Sequence, residues 1–219
     1  MTAADLISND LLPLRTSTTG KEALATMQDF NVLHLPVVNH EQLLGVLSED
    51  DILAHDVEEA VGSYQLSITF PLIREHDHVF EVMSVMSEYK LTVLPVVDEE
   101  GRYIGMIKPE ALLNYFTQMA SFSEPGAIIV LEMHRTEYSL AELSRLAEAE
   151  GAAVLAAFIS SDLKTAMIEV TIKVNRQEVE DIVSAFKRFG YTIKGVFTEQ
   201  EYSDALRERF ESLMNYLNV

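Results

Sequence analysis

Residues 32–38 read VLHLPVV and, after a short polar gap, residues 44–47 read LGVL. Nearly the same pattern occurs a second time, as LTVLPVV at residues 91–97 and IGMI at residues 104–107. The two prolines lie 59 residues apart and the two glycines 60, so the second copy has one additional residue in its turn. Internal repetition at a fixed spacing indicates an architecture built from repeated units. A duplicated α/β unit with no catalytic machinery between the copies predicts a binding module rather than an enzyme.

The pattern around each copy predicts the order strand, helix, strand, strand, helix. In the first copy, Thr18 or Thr19 caps a helix that runs from about residue 20 to residue 30. The run at 33–38, which is apolar except for His34, is typical of a buried strand. Ser48 then follows the returning strand and predicts the cap of a second helix. The second copy repeats this order.

Composition and charge narrow the class of protein. The chain has 219 residues, of which 48% are hydrophobic, and it contains no cysteine, which excludes disulfides and thiolate metal sites. No apolar run approaches the ~18 residues of a membrane span, and the start of the sequence lacks the pattern of a signal peptide. We therefore expect a cytoplasmic protein. The formal net charge of −19 makes nucleic acid and anionic membrane surfaces poor partners.

The order helix, h-x-Pro-Val-Val, turn, h-Gly-h-h and Ser/Thr-x-x-Asp, in which h is apolar, resembles the cystathionine-beta-synthase (CBS) repeat. The resemblance covers residues 1–120, with repeat one at about 1–62 and repeat two at about 63–120. It implies that two repeats pack face to face into one module, often called a Bateman module. It also implies that the module binds adenine nucleotides in two clefts between the repeats and relays their occupancy to a partner.

The resemblance implies roles for two residues of the first repeat. Ser48 would contact phosphate, and Asp51 would hold the ribose hydroxyls. Amides and a hydroxyl at a helix start suit phosphate, and a carboxylate accepts hydrogen bonds from two sugar hydroxyls. The residues alone fit another interpretation, in which Ser48 is an N-cap and Asp51 a first-turn acid. His34 and Pro36 on the preceding strand are further candidates, and His34 either faces phosphate or fills the space between strands.

The second repeat departs from this pattern. Lys108 and Ala111 occupy the two corresponding positions, so the sugar-binding carboxylate is missing while Lys108 still offers a charge to phosphate. We expect one intact cleft and one degenerate cleft. The acidic run at 49–51 is also of a kind that attracts Mg²⁺, although we expect no metal site. His76 and His78 lack a nearby set of ligands in the sequence.

A second domain follows a predicted linker at 121–126. Residues 127–198 read strand, helix, strand, strand, helix, strand, the order of a ferredoxin-like sandwich. Asn175 is the predicted cap of the second of these helices. Residues 199–219 carry an apolar stripe at helical spacing and predict a C-terminal amphipathic helix.

The second domain resembles the ACT domain, which often dimerises edge to edge and binds amino acids at the dimer interface. The loop that holds the amino acid in that family contains glycine and proline, whereas residues 134–139 here read HRTEYS. We therefore expect a scaffold role for this domain. A CBS pair followed by an ACT-like domain is also the arrangement of the acetoin-utilisation B-type proteins, which the whole chain resembles.

These observations predict an α/β regulatory protein that binds AMP, ADP, ATP or S-adenosylmethionine through Ser48 and Asp51. It would act as a homodimer on a separate, unknown partner and would need no cofactor. Two alternatives stay open: a ligand-free dimerisation scaffold, and amino-acid sensing through the ACT-like domain. An enzyme is not expected, because the sequence offers neither a nucleophile–base pair nor a dense cluster of carboxylates and histidines.

Overall fold

The computed structural model describes residues 1–8, 10–64, 66, 70–161, 165–198, 214 and 216. The chain divides into two compact units, Met1–Thr117 and Gln118–Val219.

The first repeat forms a three-stranded sheet with two helices. Its elements are β1 (Leu14–Arg15), α1 (Gly20–Asp29), β2 (His34–Asn39), β3 (Gln42–Ser48) and α2 (Glu49–Leu53). The strand order is β1-β2-β3, with β1 parallel and β3 antiparallel to β2. Thr19 caps α1, because its hydroxyl accepts the N–H of Glu22 and the Glu22 carboxylate returns to the Thr19 N–H. The predicted first helix is confirmed.

The second repeat has the same topology. Its elements are β4 (Ile73–Arg74), α3 (Val79–Glu88), β5 (Leu94–Val97), β6 (Tyr103–Ile107) and α4 (Pro109–Thr117). The strand order is β4-β5-β6, again with one parallel and one antiparallel pairing. Proline at the first position of α4 lacks an N–H that would have had no partner inside the helix. The predicted repetition is therefore present in strand order, strand direction and helix placement.

The two repeats share buried surface. One apolar cluster contains Leu35 and Leu47 of repeat one together with Val93 and Met106 of repeat two. The Tyr103 N–H also donates to a carbonyl of the first repeat. The repeats thus form one packed unit rather than two independent domains.

The beginning of the chain belongs to the core of the second repeat. Ala3 and Leu6 are buried in its apolar cluster, and the Ser8 N–H donates to the Met106 carbonyl at 2.9 Å. Gly105 lies against Ile7 so closely that a β-carbon at this position would overlap the isoleucine side chain. The N-terminal residues are therefore laid along β6.

The second unit contains one antiparallel sheet. Its elements are α5 (Ala120–Ser123), β7 (Ala127–His134), α6 (Leu140–Ala149), β8 (Val154–Ser161), β9 (Met167–Val174), α7 (Glu180–Arg188) and β10 (Thr192–Phe197). The strand order is β10-β7-β9-β8, with every pairing antiparallel. Its core joins alternate residues of β7 and β9 to Leu143 of α6 and Phe186 of α7. The predicted ferredoxin-like order is confirmed.

Two features of this unit bear on the sequence predictions. Asn175 is not the cap of α7, for which Val179 holds the N-cap position. The Asn175 side chain instead accepts the Ala153 N–H at 2.8 Å and joins the end of β9 to the start of β8. The helix α5, at Ala120–Ser123, overlaps the first half of the predicted linker.

The predicted C-terminal helix at 199–219 lies outside the described residues, apart from Met214 and Tyr216, which are both helical. Among the helices described, none combines the length and the apolar character needed to cross a membrane.

Candidate functional site

Ser48 and Asp51 form a reciprocal hydrogen-bonded pair at the junction of β3 and α2. The Ser48 hydroxyl donates to Asp51 Oδ2 at 2.6 Å, and the Ser48 N–H donates to the same oxygen at 2.9 Å. In return, the Asp51 N–H donates to Ser48 Oγ at 3.1 Å. Among the described residues no hydrogen bond reaches Asp51 Oδ1, and the Asp51 side chain is exposed. The pair is a capping box that leaves one carboxylate oxygen facing solvent.

His34 joins this pair from the neighbouring strand. It lies directly opposite Ser48 in the β2–β3 register. The imidazole is half-buried, and this burial lowers its pKa, while the negative charge of Asp51 acts on the ring in the opposite direction. The structure therefore brings His34, Ser48 and Asp51 together, although they are spread over eighteen positions of sequence.

Pro36 occupies a different environment. It is buried within β2, opposite Val46. Its side chain offers no polar atom, so any role in binding would come from the shape of the strand.

Thr92 of the second repeat completes the group, although it was not among the residues predicted for the site. Its hydroxyl oxygen accepts the Leu33 N–H at 2.8 Å and lies 3.1 Å from His34 Nδ1. The Thr92 N–H also lies 3.3 Å from that ring nitrogen. Thr92 and Leu33 hold corresponding positions in the two repeats, and this pairing is the one signal that points to their contact.

A surface cleft adjoins the group. Its volume is about 730 Å³, and its lining includes Leu33, Glu49 and Thr92 together with apolar and polar residues of α1. The side chains of His34, Ser48 and Asp51 lie beside this cleft and are not part of its lining. Pockets that hold small molecules usually measure about 300–1,000 Å³. The cleft is thus large enough for a nucleotide-sized molecule.

The corresponding region of the second repeat has a different chemistry. Lys108 Nζ lies 2.6 Å from Asp10 Oδ2, and only 16% of the Lys108 side chain is exposed. This contact with the ammonium group, followed by a hydrogen bond from Ser8, holds the pKa of Asp10 below its usual range. Ala111 packs against the apolar cluster of the repeat. The charge of Lys108 is therefore neutralised within the chain by Asp10, a residue that the sequence analysis missed.

The acidic and histidine-containing segments do not assemble a metal site in the described part of the chain. There, no group of three or more histidine, aspartate or glutamate side chains is arranged to hold an ion. His76 lies 3.8 Å from Glu75 and 3.5 Å from Glu99, and the His78 ring accepts the Phe80 N–H at the start of α3.

The loop between β7 and α6 satisfies its own polar groups. Residues Arg135–Glu137 form a short 3₁₀ helix. The His134 N–H donates to the Glu137 carboxylate at 3.3 Å, and its ring lies 2.7 Å from the Thr136 hydroxyl. These contacts hold the loop without the glycine and proline expected of an amino-acid site.

Several known proteins are similar to parts of this chain. A homoserine O-acetyltransferase from Methanococcus vannielii is 30% identical over 119 residues, which are 52% of this chain and 24% of the relative. The chain thus spans about a quarter of the length of this curated relative. A CBS domain pair/ACT domain protein from Thermotoga maritima is 24% identical, with 54% of this chain and 98% of that chain covered and a TM-score of 0.48. An acetoin utilization protein from Vibrio cholerae is 19% identical, with 56% and 95% covered and a TM-score of 0.48.

The family model of the CBS domain matches this chain twice, at residues 3–58 and 64–117. Together the two matches cover half of the sequence and coincide with the two structural repeats. The chain therefore belongs to the CBS-domain family, with a tandem CBS pair followed by a unit of ferredoxin-like topology.

Proposed function

We propose that this protein is a regulatory sensor that binds an adenine nucleotide or adenosyl ligand at the first-repeat cleft. This name covers the surface cleft of about 730 Å³ and the polar group beside it, which consists of His34, Ser48, Asp51 and Thr92. In this proposal the Ser48 hydroxyl turns its proton from Asp51 Oδ2 to a phosphate oxygen, while the Ser48 N–H continues to donate to Asp51 Oδ2. The Asp51 carboxylate accepts hydrogen bonds from the ribose. Occupancy of the cleft changes the contact between the repeats and is relayed to a partner protein.

The convergence of His34, Ser48 and Asp51 at the junction of the two repeats carries the proposal. His34 lies on β2, Ser48 at the end of β3 and Asp51 in the first turn of α2, so the hairpin and the helix start bring the three side chains together. The free Asp51 oxygen is available to a sugar hydroxyl without breaking the capping box, since the contacts of the box all use Oδ2. The adjoining cleft has room for the base, which would pack against apolar residues of α1.

The charge around the cleft favours ligands with little negative charge. Glu49 and Asp50 are exposed beside Asp51, and the chain as a whole carries a formal charge of −19. Lys21 also lines the cleft, but its ammonium group is paired with Glu58 at 3.3 Å. Like charges close together raise the free energy of binding. We therefore rank AMP and S-adenosylmethionine above ADP and ATP, and we expect Mg²⁺ to improve ATP binding.

The second-repeat cleft, formed around Lys108 and Ala111, is proposed to stay without ligand. Ala111 has no oxygen for a ribose, and Lys108 already has Asp10 as its counter-ion. A nucleotide phosphate would have to displace this carboxylate.

A ligand-free dimerisation scaffold is the second candidate function, and one observation favours it. Ser48 and Asp51 already satisfy each other, so α2 has a complete N-terminal cap without any ligand. In this alternative the polar group stabilises the fold, and both units form contacts between two copies of the chain. We propose a homodimer in either case, which light scattering at micromolar concentration tests directly.

Thermal melting separates the two candidates. The purified full chain is heated with AMP, ADP, ATP, S-adenosylmethionine or Mg²⁺, each alone. A sensor gains about 2.7 kcal/mol of stability when its ligand is present at a hundred times the dissociation constant. Asp51→Asn keeps a side-chain oxygen for the cap and should lose this gain, whereas Glu110→Gln in the second repeat should keep it. Flat curves for all five additions would support the scaffold.

A further inference from the structure

The contact between His34 and Thr92 defines how the histidine ring is protonated. The Thr92 hydroxyl oxygen accepts the Leu33 N–H at 2.8 Å, so its own proton is directed elsewhere. His34 Nδ1 lies 3.1 Å from this oxygen. The backbone N–H of Thr92 approaches the same ring nitrogen at 3.3 Å. Nδ1 thus faces two donors from the second repeat.

A ring nitrogen that accepts hydrogen bonds carries no proton. The neutral imidazole must then hold its proton on Nε2, since one ring nitrogen donates when the other accepts. Partial burial lowers the pKa of His34 and keeps the ring neutral near pH 7. The Nε2–H group points away from Thr92, on a ring that is close enough to Asp51 to feel its charge.

We propose that Thr92 is a positioning residue for the first-repeat cleft: it fixes His34 as an Nε2–H donor that binds an oxygen atom of the ligand. This inference rests on the proposed function and adds one donor to the site. The donor is neutral, so it suits a phosphate oxygen or a hydroxyl without requiring a charged ring. Binding by His34 is then possible only while the second repeat holds the ring in place.

The arrangement exists on one side of the module. Val93 holds the position of His34 in the second repeat, and Leu33 holds that of Thr92. Neither side chain has a polar atom, so the second-repeat cleft has no equivalent donor. The contact between His34 and Thr92 joins the two repeats beside the proposed ligand site. Ligand binding by His34 therefore depends on how the two repeats are placed relative to each other.

The ¹⁵N spectrum of the His34 ring tests this assignment without any ligand. Long-range ¹H–¹⁵N correlation on the full chain distinguishes a protonated from an unprotonated Nδ1. We expect the Nε2–H tautomer in the natural protein and in Thr92→Ser, which keeps the hydroxyl. Thr92→Val removes the hydroxyl at nearly constant shape and leaves the backbone N–H of residue 92 as the remaining donor to Nδ1. We therefore expect the Nδ1 resonance to shift and the preference for the Nε2–H tautomer to weaken. Thr26→Val, which removes an exposed hydroxyl of α1, serves as the control and should leave the ring signals unchanged.

AMP affinity supplies the second readout, measured on the same variants by calorimetry. Thr92→Val should weaken AMP binding about tenfold, the value of roughly one hydrogen bond, and Thr92→Ser should restore it. An Nδ1–H tautomer in the natural protein, or unchanged ring signals and affinity in Thr92→Val, would overturn the inference. If the natural protein binds no AMP, the proposed function fails, and the ring spectrum still decides whether Thr92 positions His34.

Discussion

The two CBS repeats have the same strand order and the same antiparallel hairpin, yet they differ at the positions that we propose for ligand binding. His34, Ser48 and Asp51 of repeat one correspond to Val93, Lys108 and Ala111 of repeat two. The residues that build the hairpin are matched in both copies, with proline and glycine at equivalent places. The two repeats fold alike because their apolar packing and turn geometry match. The polar residues at the start of the last helix differ between the repeats without changing the fold.

The difference also has a structural consequence. A lysine in the place of Ser48 brings a charge into a site where 84% of its side chain is covered, which is unfavourable without a partner. Asp10 supplies that partner from the N-terminal segment, 98 residues away in sequence. Where the first repeat has a serine–aspartate capping box, the second repeat therefore has an ion pair with the N-terminal segment.

Removal of the carboxylate from the first cleft should have the largest effect. Asp51→Ala eliminates the proposed ribose contacts, and hydrogen bonds to a charged group contribute about 1.5–3 kcal/mol each. We expect AMP affinity to fall by about tenfold or more, measured by calorimetry. Glu110→Ala removes an acid at the corresponding helix start of repeat two and should leave affinity unchanged. Equal affinity in Asp51→Ala and the natural protein would show that the site is assigned wrongly.

Two substitutions in the second repeat should create the ligand-binding residue types of the first. The double variant Lys108→Ser, Ala111→Asp gives the second repeat the residue types of the first, and it releases Asp10 from its ion pair. We expect the number of AMP molecules bound per chain to rise from one to two. The control Lys108→Ala, Ala111→Ser removes the lysine without adding a carboxylate and should still bind one. A stoichiometry of one in both variants would mean that other residues close the second cleft.

Ser48→Ala should have a moderate effect on stability. Loss of an N-cap side chain costs about 1 kcal/mol, which urea denaturation of the full chain can measure. Ser139→Ala removes the cap of α6 in the second unit and should cost a similar amount of stability. Only Ser48→Ala should also weaken AMP binding. If both variants bind AMP normally, Ser48 acts as a cap alone.

Asp10→Asn should produce the smallest effect, and it depends on pH. The ion pair with Lys108 lowers the pKa of Asp10 in the folded chain, so the unfolded chain binds the proton more readily. The resulting stabilisation is present above the unfolded pKa of about 3.9 and is lost as pH falls through the folded value. At pH 7 we expect the variant to be less stable by about 0.5 kcal/mol. The stabilities should converge at low pH, and a constant gap would contradict this account of the pair.

Local signals made much of the fold predictable. Several signals determine the backbone conformation of residues only a few positions away in sequence. They are the repeated proline and glycine patterns, the cap at Thr19 and the proline that begins α4. The ferredoxin-like order of the second unit followed from alternating apolar patterns in the same way. Ser48 and Asp51 were identified by family resemblance, since the residues alone fitted a capping box equally well.

Contacts between distant residues account for what the sequence analysis missed. Thr92 meets His34 across 58 positions and Asp10 meets Lys108 across 98, so no local pattern marks either pair. Asn175 matched the residue preference of a cap, but a backbone N–H 22 positions earlier holds its side chain. In each case a tertiary partner decided the role of a polar side chain.

The number of AMP molecules bound per chain shows directly whether the CBS pair has one nucleotide site or two. Calorimetric titration of the full, natural chain with AMP gives this number without any mutation. The asymmetry between the repeats predicts one molecule per chain. Two molecules per chain would contradict the asymmetry of the clefts, and no binding would contradict the assignment of the first cleft to a nucleotide.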